Sequence, residues 1–350
     1  MNLRDEAPPL EVLAGYGLDL AGAKRAASGL INKTWIVTTT SAERLVVQCL
    51  HSVISAAVND KIDLVTRHLE TKKICTPRLV KTATGKNSIK VDGDEWRVLS
   101  YVAGTTYDAI SDEKVAQQAG AVLARFHSAF SEASWDRSLS LSETHNLPRY
   151  LDAMHRALAE HRQHHSYAEI AELAQKITNY SQKLPNVPLN APRVVHGDPK
   201  ISNILFDNNK VGLCLVDLDT VGLMPLAWEF GDAFRSWCNP CGEDTDKTSF
   251  SPALFRAALD GYLANASHHL DRCDLNGIVS ATQQIYTELA ARFCTDALHE
   301  TYFAWDPKRF SSRFEHNLVR ARGQINAAID LALNLDELTE IVLQANAGRT

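Results

Sequence analysis

The chain of 350 residues carries 36 Lys and Arg against 42 Asp and Glu, and 45% of its residues are hydrophobic. This length and apolar content allow two domains of ordinary size, each with its own core. The formal net charge of -6 provides no positive field for a nucleic-acid backbone or an anionic membrane surface, so we expect neither as a partner.

The start of the chain and its cysteines favour a cytoplasmic protein. Acidic residues and prolines stand where a signal peptide needs an apolar core, and no run is long enough to span a bilayer. The 7 cysteines are an odd number scattered along the chain, which suits reduced thiols better than a disulfide framework. The pair Cys238 and Cys241 has no second pair at zinc-finger spacing, and the sequence gives it no role. The sequence does not indicate the oligomeric state of the protein either.

The first hundred residues predict a mainly antiparallel sheet with one helix. Residues 33–40 and 43–49 alternate in the manner of β-strands and are separated by a short turn, which predicts a hairpin. Residues 59–73 place their apolar side chains on one helical face. Three further strands are predicted at residues 78–82, 89–91 and 96–102, the last two joined by the turn Asp92-Gly93-Asp94.

The segment Ala103-Gly104-Thr105-Thr106 breaks the strand pattern and predicts a domain boundary between residues 1–103 and 104–350. The second domain is mainly helical. Ser111 or Asp112 can cap its first helix, whose apolar stripe predicts a packed face. Further helices are predicted at about residues 151–158, 167–183, 252–265, 275–300 and 316–333.

The strongest chemical signal lies between Val195 and Asp219. His196, Asp198 and Asn203 have the spacing His-x-Asp-x-x-x-x-Asn of a kinase catalytic loop. In such a loop the Asp orients the attacking hydroxyl and accepts its proton, while the Asn binds magnesium. Asp198 is therefore the predicted catalytic base.

Two apolar runs, residues 204–206 and 211–216, follow this loop and flank the turn residues Asp207-Asn208-Asn209, which predicts a hairpin. Such a hairpin would place Asn203 beside Asp217 at its open end. Asn203 and Asp217, with Asp219 as a further candidate, supply the oxygen ligands that Mg²⁺ prefers.

Lys200 completes this constellation, because it follows Asp198 by two residues and can reach the transferring phosphoryl group. The pattern predicts an enzyme that uses ATP and Mg²⁺ to phosphorylate an alcohol. The corresponding fold is α+β and bilobal, like a protein kinase. Residues 1–103 would form the nucleotide-binding lobe with its small antiparallel sheet and one helix, and residues 104–350 the mainly helical catalytic and substrate-binding lobe.

The first domain contains the candidates for nucleotide binding. The loop before the first hairpin lies where a kinase covers the phosphates, and Gln48 occupies the place of the phosphate-pairing Lys. A neutral amide cannot neutralise a phosphate, so we expect Lys200 and magnesium to carry more of that charge. The end of the last strand would bind the adenine edge through its main chain. The candidates are Gly29, Asn32, Thr34, Gln48, Ser100, Tyr101 and Val102.

The motif His196-Gly197-Asp198 with Asn203, the following Asp217-Leu218-Asp219 and the segment Phe230-Gly231-Asp232 resemble the aminoglycoside phosphotransferase and choline kinase superfamily. Other segments spread along most of the chain are most similar to the N-acetylhexosamine 1-kinases within it. These segments include residues 29–35, 96–98, 104–108, 291–296 and 316–322.

This resemblance implies phosphorylation of the anomeric hydroxyl of a sugar such as N-acetylglucosamine or N-acetylgalactosamine. It also implies that Arg292 and Tyr302 contact the sugar, while Asp198 meets its reacting hydroxyl. The alternative for these two side chains is structural, with Arg292 paired to Asp296 and Tyr302 in the core. Asp232 and Arg235 are expected to support the catalytic loop.

Two other functions remain open. The same chemistry could act on another small alcohol, such as an amino alcohol, an aminoglycoside or a different sugar. A cationic acceptor needs carboxylates, which the stretch from Gly242 to Asp246 could provide. The other possibility is an inactive ATP-binding scaffold, against which stands the joint presence of Asp198, Asn203 and Asp217.

Overall fold

The computed structural model describes residues 7–26, 32–52, 54–131, 141, 144–268, 270 and 272–347. The chain divides into two compact units, Met1–Ala103 and Gly104–Thr350. The first contains an antiparallel sheet and the second is mainly helical, so the predicted α+β fold is confirmed. Among the described residues, no helix combines the length and the apolar content that crossing a membrane requires.

The first unit is built on a six-stranded sheet with the order β1-β2-β3-β6-β4, in which β5 also pairs with β6. The predicted hairpin is confirmed, because β2 and β3 pair from Lys33 opposite Cys49 to Thr38 opposite Arg44. The helices and strands of this unit are α1 (Leu10–Gly15), β1 (Leu20–Arg25), β2 (Lys33–Thr39), β3 (Arg44–Cys49), α2 (Val58–Thr71), β4 (Leu79–Val80), β5 (Ile89–Val91) and β6 (Asp94–Ser100).

One face of this sheet forms an apolar core. The buried side chains of β2 and β3 alternate along their strands, as expected for a sheet with two different faces, whereas β6 is buried on both faces from Trp96 to Leu99. Trp35 and Trp96 pack with their rings 5.5 Å apart in this core. The next residue, Arg97, is also buried and belongs to the opposite face, where it donates to Asn59 of α2.

The second unit surrounds two short pairs of strands with helices. Its elements are α3 (Glu113–Ala129), α4 (Leu147–Glu160), α5 (Tyr167–Ser181), β7 (Arg193–Val195), β8 (Ile204–Phe206), β9 (Gly212–Leu215), β10 (Gly222–Met224), α6 (Leu226–Trp237), α7 (Pro252–Asn265), α8 (Arg272–Asn276), α9 (Ile278–His299), α10 (Arg313–Leu333) and α11 (Leu335–Ala347). Asp112 caps α3 by accepting a hydrogen bond from the backbone N–H of Lys114, as one of the two predicted caps.

The two strand pairs hold the motif segment. The predicted hairpin is confirmed, with β8 and β9 antiparallel and Ile204 opposite Leu215. Strand β7, which leads into the motif, pairs with β10 so that Val195 lies opposite Gly222. The loop of residues 196–203 and the loop of residues 216–221 therefore begin and end at paired strands, which brings them side by side.

The helix predicted over residues 275–300 is confirmed over most of its length as α9, but its predicted start is wrong, because the chain is interrupted at Gly277 between α8 and α9. A Cβ at Gly277 would lie 2.8 Å from Ala227 Cβ and 2.9 Å from the carbonyl oxygen of Pro188. The close approach of these segments, which sequence periodicity does not report, sets the break. The helices α1, α6 and α11 and the strands β1, β7 and β10 were not predicted.

Helices α3 and α7 cross at two glycines. A Cβ on Gly120 would lie 2.0 Å from the carbonyl oxygen of Ala258, and one on Gly261 would lie 2.0 Å from that of Gln117. Both distances are far below van der Waals contact, so the backbones approach as closely as they do only because these residues have no side chain.

We expect Gly120→Ala to destabilise the protein. Alanine gains about 1 kcal/mol in helix propensity, but the methyl group meets a backbone carbonyl, and overpacking of this kind costs about 1–3 kcal/mol or more. Urea denaturation followed by circular dichroism measures the difference. Gly22→Ala is the control, because its Cβ would enter open space at an ordinary φ. Equal stability of the two variants would contradict the close crossing.

Candidate active site

The motif hairpin brings two predicted metal ligands together. The backbone N–H of Val216 donates to the carbonyl oxygen of Asn203 over 2.9 Å, so Asp217 follows a residue directly bonded to Asn203. Asp217 has left-handed backbone angles, φ 63° and ψ 60°, and Asp219 lies in the short 3-10 turn after it. The sequence-predicted placement of Asn203 beside Asp217 follows from this pairing.

The carboxylate of Asp198 is held on one side. Its Oδ2 accepts hydrogen bonds from Lys200 Nζ at 2.8 Å and from Asn203 Nδ2 at 3.1 Å. Asn203 Nδ2 also donates to the backbone oxygen of Asp198 over 2.9 Å. The other carboxylate oxygen accepts no hydrogen bond from the described residues, and the side chain is 27% exposed. One oxygen is thus fixed while the other can meet a hydroxyl group.

The charges of this pair support each other. Burial disfavours the ionised form of Asp198, but the positive charge and hydrogen bond of Lys200 outweigh burial and lower the pKa of Asp198 below its ordinary value. Burial likewise opposes the charge of Lys200, whose pKa is nevertheless raised by the carboxylates of Asp198 and Asp217. Asp198 is therefore ionised and Lys200 is charged at neutral pH.

The donor set fits a hard divalent cation. Because Asn203 commits its Nδ2 to Asp198, its Oδ1 is turned elsewhere and accepts no hydrogen bond within the described part of the chain. This amide oxygen, together with the carboxylates of Asp217 and Asp219 on the neighbouring loop, is the kind of ligand set that Mg²⁺ takes with phosphate oxygens and water.

A buried carboxylate fixes the backbone of the catalytic loop. Glu229 of α6 is fully buried and accepts hydrogen bonds from the backbone N–H groups of His196 at 2.8 Å and Gly197 at 2.9 Å. His196 Nε2 lies 2.9 Å from the carbonyl oxygen of Val216, and His196 Nδ1 accepts from the N–H of Asp198. The two contacts agree with the Nε2–H tautomer, which links the two loops.

Gly197 has to be a glycine for a geometric reason. Its φ of 81° is in the left-handed region, and a Cβ would lie 2.3 Å from the carbonyl oxygen of Thr220. Thr220 also donates through its hydroxyl group to the carbonyl oxygen of His196. The loops are therefore packed against each other at the residue that precedes Asp198.

Helix α6 supports the loop at two more positions. The backbone N–H of Ile201 donates to Ser236 Oγ, and Trp237 Nε1 donates to the carbonyl oxygen of Pro199. These supports, with Glu229, are functional positions that the sequence reasoning missed. The available signal was a carboxylate, Glu229, inside an apolar stretch just after the motif.

Asp232 and Arg235 do not bond to the catalytic loop within the described residues. Arg235 Nε donates to Asp232 Oδ1 over 2.9 Å, and Arg235 Nη1 donates to Glu243 Oε1 over 2.9 Å. The charge of Arg235 contributes to the lowered pKa of Asp198. Their predicted support of the loop is thus electrostatic, whereas the direct supports come from other residues.

The acidic stretch after α6 is paired with cations. Besides the bond from Arg235 to Glu243, Asp244 Oδ1 accepts from Arg320 Nε over 2.7 Å and lies 2.9 Å from His316 Nε2. Burial opposes ionisation of Asp244, but the bond with His316 and the charge of Arg320 prevail and lower its pKa to about 2. Both carboxylates are therefore bonded to arginines, although Glu243 shares Arg235 with Asp232.

Arg292 and Tyr302 lie near each other and are accessible. The Arg292 guanidinium is 6.0 Å from the ring centroid of Tyr302, which is 50% exposed, and 3.8 Å from Glu288 Oε1. Asp296 instead accepts the backbone N–H groups of Thr301, Tyr302 and Phe303. The structural alternative for both residues, an Arg292–Asp296 pair and a core Tyr302, is therefore wrong among the described residues. Their contact with a sugar stays a prediction.

The nucleotide-binding candidates belong to the first unit, except that Gly29 lies outside the described residues. Gln48 Nε2 donates to Thr34 Oγ1 over 3.1 Å, and Gln48 Oε1 accepts from Arg97 Nε over 2.8 Å. Gln48 occupies the position at which a kinase usually has a lysine, and the buried guanidinium of Arg97 lies beside it. Asn32 Oδ1 accepts from the backbone N–H of His51.

The other nucleotide-binding candidates lie at the end of β6. The hydroxyl of Ser100 accepts from the N–H of Arg78, and the ring of Tyr101 lies under the guanidinium of Arg44. Val102 follows them. All these roles in nucleotide binding stay predictions.

We expect Glu229 to make stability depend on pH. Burial raises its pKa from 4.5 to about 7, although the backbone N–H groups of His196 and Gly197 oppose this. The folded protein therefore holds this proton more tightly than the unfolded chain, so the contribution of Glu229 to stability falls as the pH rises from about 4.5 to about 7 and is constant above that.

Glu229→Gln removes this titration. The free energy of unfolding of the wild-type protein, relative to that of the variant, should decrease over the same pH range in urea denaturation experiments. Parallel pH profiles of the two proteins would show that Glu229 is ionised throughout and would contradict the assigned shift.

Residues 22–268 match the model of a family described as the phosphotransferase enzyme family. Among solved structures, an aminoglycoside phosphotransferase from Alicyclobacillus acidocaldarius subsp. acidocaldarius is 16% identical, with a TM-score of 0.60, over 99% of this chain and 98% of its own. An amicoumacin kinase in complex with AMP-PNP, Ca²⁺ and amicoumacin is 15% identical, with a TM-score of 0.61, over 92% of this chain and 94% of its own.

A choline/ethanolamine kinase family protein from Mesorhizobium loti is 16% identical, with a TM-score of 0.54, over 97% of each chain. At these identities the structures show the fold alone, which is the kinase-like fold of the phosphotransferase family. The narrower resemblance to N-acetylhexosamine 1-kinases stays a prediction from the sequence.

Proposed function

The chain belongs to the phosphotransferase enzyme family, and from this membership we propose that it transfers a phosphoryl group from ATP to the anomeric hydroxyl of an N-acetylhexosamine or a related sugar. The observation that carries the proposal is the arrangement of Asp198. One of its carboxylate oxygens is held by Lys200 and Asn203, and the other accepts no hydrogen bond from the described residues. Such a carboxylate can orient an acceptor hydroxyl and take its proton.

A low pKa at Asp198 is compatible with this role. Phosphoryl transfer depends mainly on positioning and on electrostatic stabilisation, since bonding to the attacking oxygen is weak in the transition state. The carboxylate therefore needs to align the hydroxyl more than to remove its proton early. Lys200 is charged and bonded to Asp198, so it can also stabilise negative charge on the transferring group.

ATP and magnesium are supported as cofactors by the donor set and by a structural neighbour. The amicoumacin kinase was solved with the ATP analogue AMP-PNP and a divalent cation. Asn203, Asp217 and Asp219 would hold Mg²⁺ here, and the ion would neutralise phosphate charge. In the first unit, Gln48 would meet the phosphates as a neutral amide, with the Arg97 guanidinium bonded behind it.

The acceptor class rests on two observations. The segments that resemble hexosamine kinases include the one that carries Arg292, and this side chain and Tyr302 lie accessible beside each other. Glu243 bonds to Arg235 and Asp244 to Arg320, so these two carboxylates of the acidic stretch are engaged by arginines and are less suited to bind a cationic acceptor. A neutral sugar is therefore favoured over an amino alcohol or an aminoglycoside.

A panel of acceptors tests this function. With ATP and Mg²⁺, we expect N-acetylglucosamine or N-acetylgalactosamine to be phosphorylated at the anomeric oxygen, as read by phosphorus NMR of the product. Choline, ethanolamine and an aminoglycoside are the competing acceptors. Phosphorylation only away from the anomeric carbon would refute the 1-kinase assignment, and phosphorylation of cationic acceptors alone would refute the sugar.

Asp198→Asn should retain ATP binding and lose turnover by about 100- to 10,000-fold, the usual contribution of a general base. The amide is isosteric and can still accept a hydrogen bond from Lys200, but it cannot take a proton. ATP binding measured by calorimetry provides the control. ATP binding by the wild-type protein without any turnover on the panel would instead identify an inactive scaffold.

Lys200→Ala should lower turnover and shift its pH dependence. Without the charge of Lys200, burial is left to raise the pKa of Asp198, so the loss of kcat/KM on acidification should begin at a higher pH than in the wild-type protein. The profile is measured between about pH 5 and about pH 9, where most carboxylates and lysines do not titrate. If Lys200→Ala left turnover unchanged while Asp217→Ala abolished it, the role of Lys200 would be wrong.

A further inference from the structure

Two buried ionisable side chains of the second unit have polar atoms without hydrogen bonds. Glu288 Oε1 and both ring nitrogens of His145 have no hydrogen-bond partner in the described structure. Their side chains are only 3% and 7% exposed, and His145 Nδ1 approaches Glu288 Oε1 to 3.4 Å. Leaving buried polar groups unsatisfied is costly, so such atoms commonly mark a place where a ligand or a water binds.

An arginine and aromatic rings connect these atoms to the surface. Arg292 lies one helical turn after Glu288 on α9, its Nη1 is 3.8 Å from Glu288 Oε1, and its side chain is 27% exposed. The guanidinium lies 5.2 Å from the ring centroid of Tyr150 and 6.0 Å from that of Tyr302. We call Glu288, His145, Arg292, Tyr150 and Tyr302 the Glu288 cluster.

The Glu288 cluster adjoins the catalytic loop. His145 stacks on Trp228, with ring centroids 5.6 Å apart, and Trp228 precedes Glu229, which holds the loop backbone. Leu141, on the segment that leads to His145, donates its N–H to the carbonyl oxygen of Leu223 in β10. Leu141 Cδ1 also packs close to Gly197, because a Cβ added to this glycine would lie 3.2 Å from it. Leu141 thus contacts the catalytic loop, and His145, four residues later in the sequence, contacts the helix that supports it.

The charges of the cluster compensate each other. Glu288 and Arg292 have opposite charges and lie 3.8 Å apart. The pair therefore carries no net negative charge that would attract a cationic acceptor. The unsatisfied oxygen of Glu288 and the N–H groups of Arg292, whose side chain is 27% exposed, suit hydroxyl and carbonyl groups. Tyrosine rings present flat faces with polar tips. A sugar ring has hydroxyl groups on its rim and apolar C–H faces, and it matches this set.

We propose that Glu288 and His145 bind the non-reacting hydroxyl groups of a neutral sugar acceptor, with Arg292 beside them and Tyr150 as a further contact. This inference rests on the proposed function and specifies how its acceptor is recognised. Glu288 Oε1 accepts a hydrogen bond from one sugar hydroxyl, and a ring nitrogen of His145 bonds a neighbouring one. Both side chains determine which sugar binds and leave the proton transfer to Asp198.

Glu288→Gln tests this proposal, with Gln284→Ala as the matched control. Gln284 lies one turn earlier on α9 and donates to the carbonyl oxygen of Pro185 at the surface. A hydrogen bond to a charged group contributes about 1.5–3 kcal/mol, so the KM for N-acetylglucosamine should rise about 10- to 100-fold in Glu288→Gln and stay unchanged in the control. An unchanged KM in Glu288→Gln would overturn the proposal.

Deoxy analogues of N-acetylglucosamine distinguish recognition from a structural role. Removal of the hydroxyl that Glu288 binds should raise the KM of the wild-type enzyme strongly and that of Glu288→Gln less, because the neutral amide oxygen bonds this hydroxyl more weakly than the carboxylate does. Equal losses in both proteins for every deoxy sugar would overturn the proposal. If Glu288→Gln does not fold, as judged by its melting temperature, His145→Gln is measured in the same way, with the same two outcomes.

Direct binding separates this inference from the proposed function. If the wild-type protein phosphorylates no sugar, the proposed function fails, and calorimetry with N-acetylglucosamine in the presence of ADP and Mg²⁺ tests the cluster alone. Sugar binding that is lost in Glu288→Gln supports the cluster, and no binding to the wild-type protein overturns it. Weaker binding of choline but not of the sugar in Glu288→Gln would overturn the acceptor class.

Discussion

The buried carboxylate of Glu229 is the contact on which the rest of the site depends. It accepts the N–H groups of His196 and Gly197, and so fixes the backbone immediately before Asp198. From the other direction, His196 joins the loop to Val216 at the end of the hairpin. The backbone of these two loops therefore positions both the candidate base, Asp198, and the candidate metal ligands, and α6 holds this backbone in place.

Helix α6 also connects the catalytic loop with the Glu288 cluster. Glu229 faces the loop, while the preceding Trp228 stacks on His145 of the Glu288 cluster. Near its other end, Arg235 joins Glu243, whose neighbour Asp244 binds α10 through Arg320. Asp232, Glu243 and Asp244 are thus bonded to arginines, whereas Asp198, Asp217 and Asp219 are the carboxylates proposed to act in the chemistry.

Local patterns in the sequence were sufficient to predict the hairpin of β8 and β9 and to recognise Asp198 and Asn203 by their spacing. Turn residues and short apolar runs act over a few positions, so they can be recognised without knowing the fold. Glu229, Trp228 and Glu288 could not be assigned, because their partners lie far away along the chain. The same holds for the interruption at Gly277, where contact with a distant segment overrides helical periodicity.

The segment that carries Tyr302 shows a further consequence of this architecture. One carboxylate, that of Asp296, accepts three successive N–H groups of this segment and also binds the amide of Asn317. The side chain of Tyr302 is consequently exposed, while its backbone is held in place by the hydrogen bond to Asp296. If Tyr302 contacts the acceptor as proposed, association loses little conformational entropy at this position, because the backbone is already ordered.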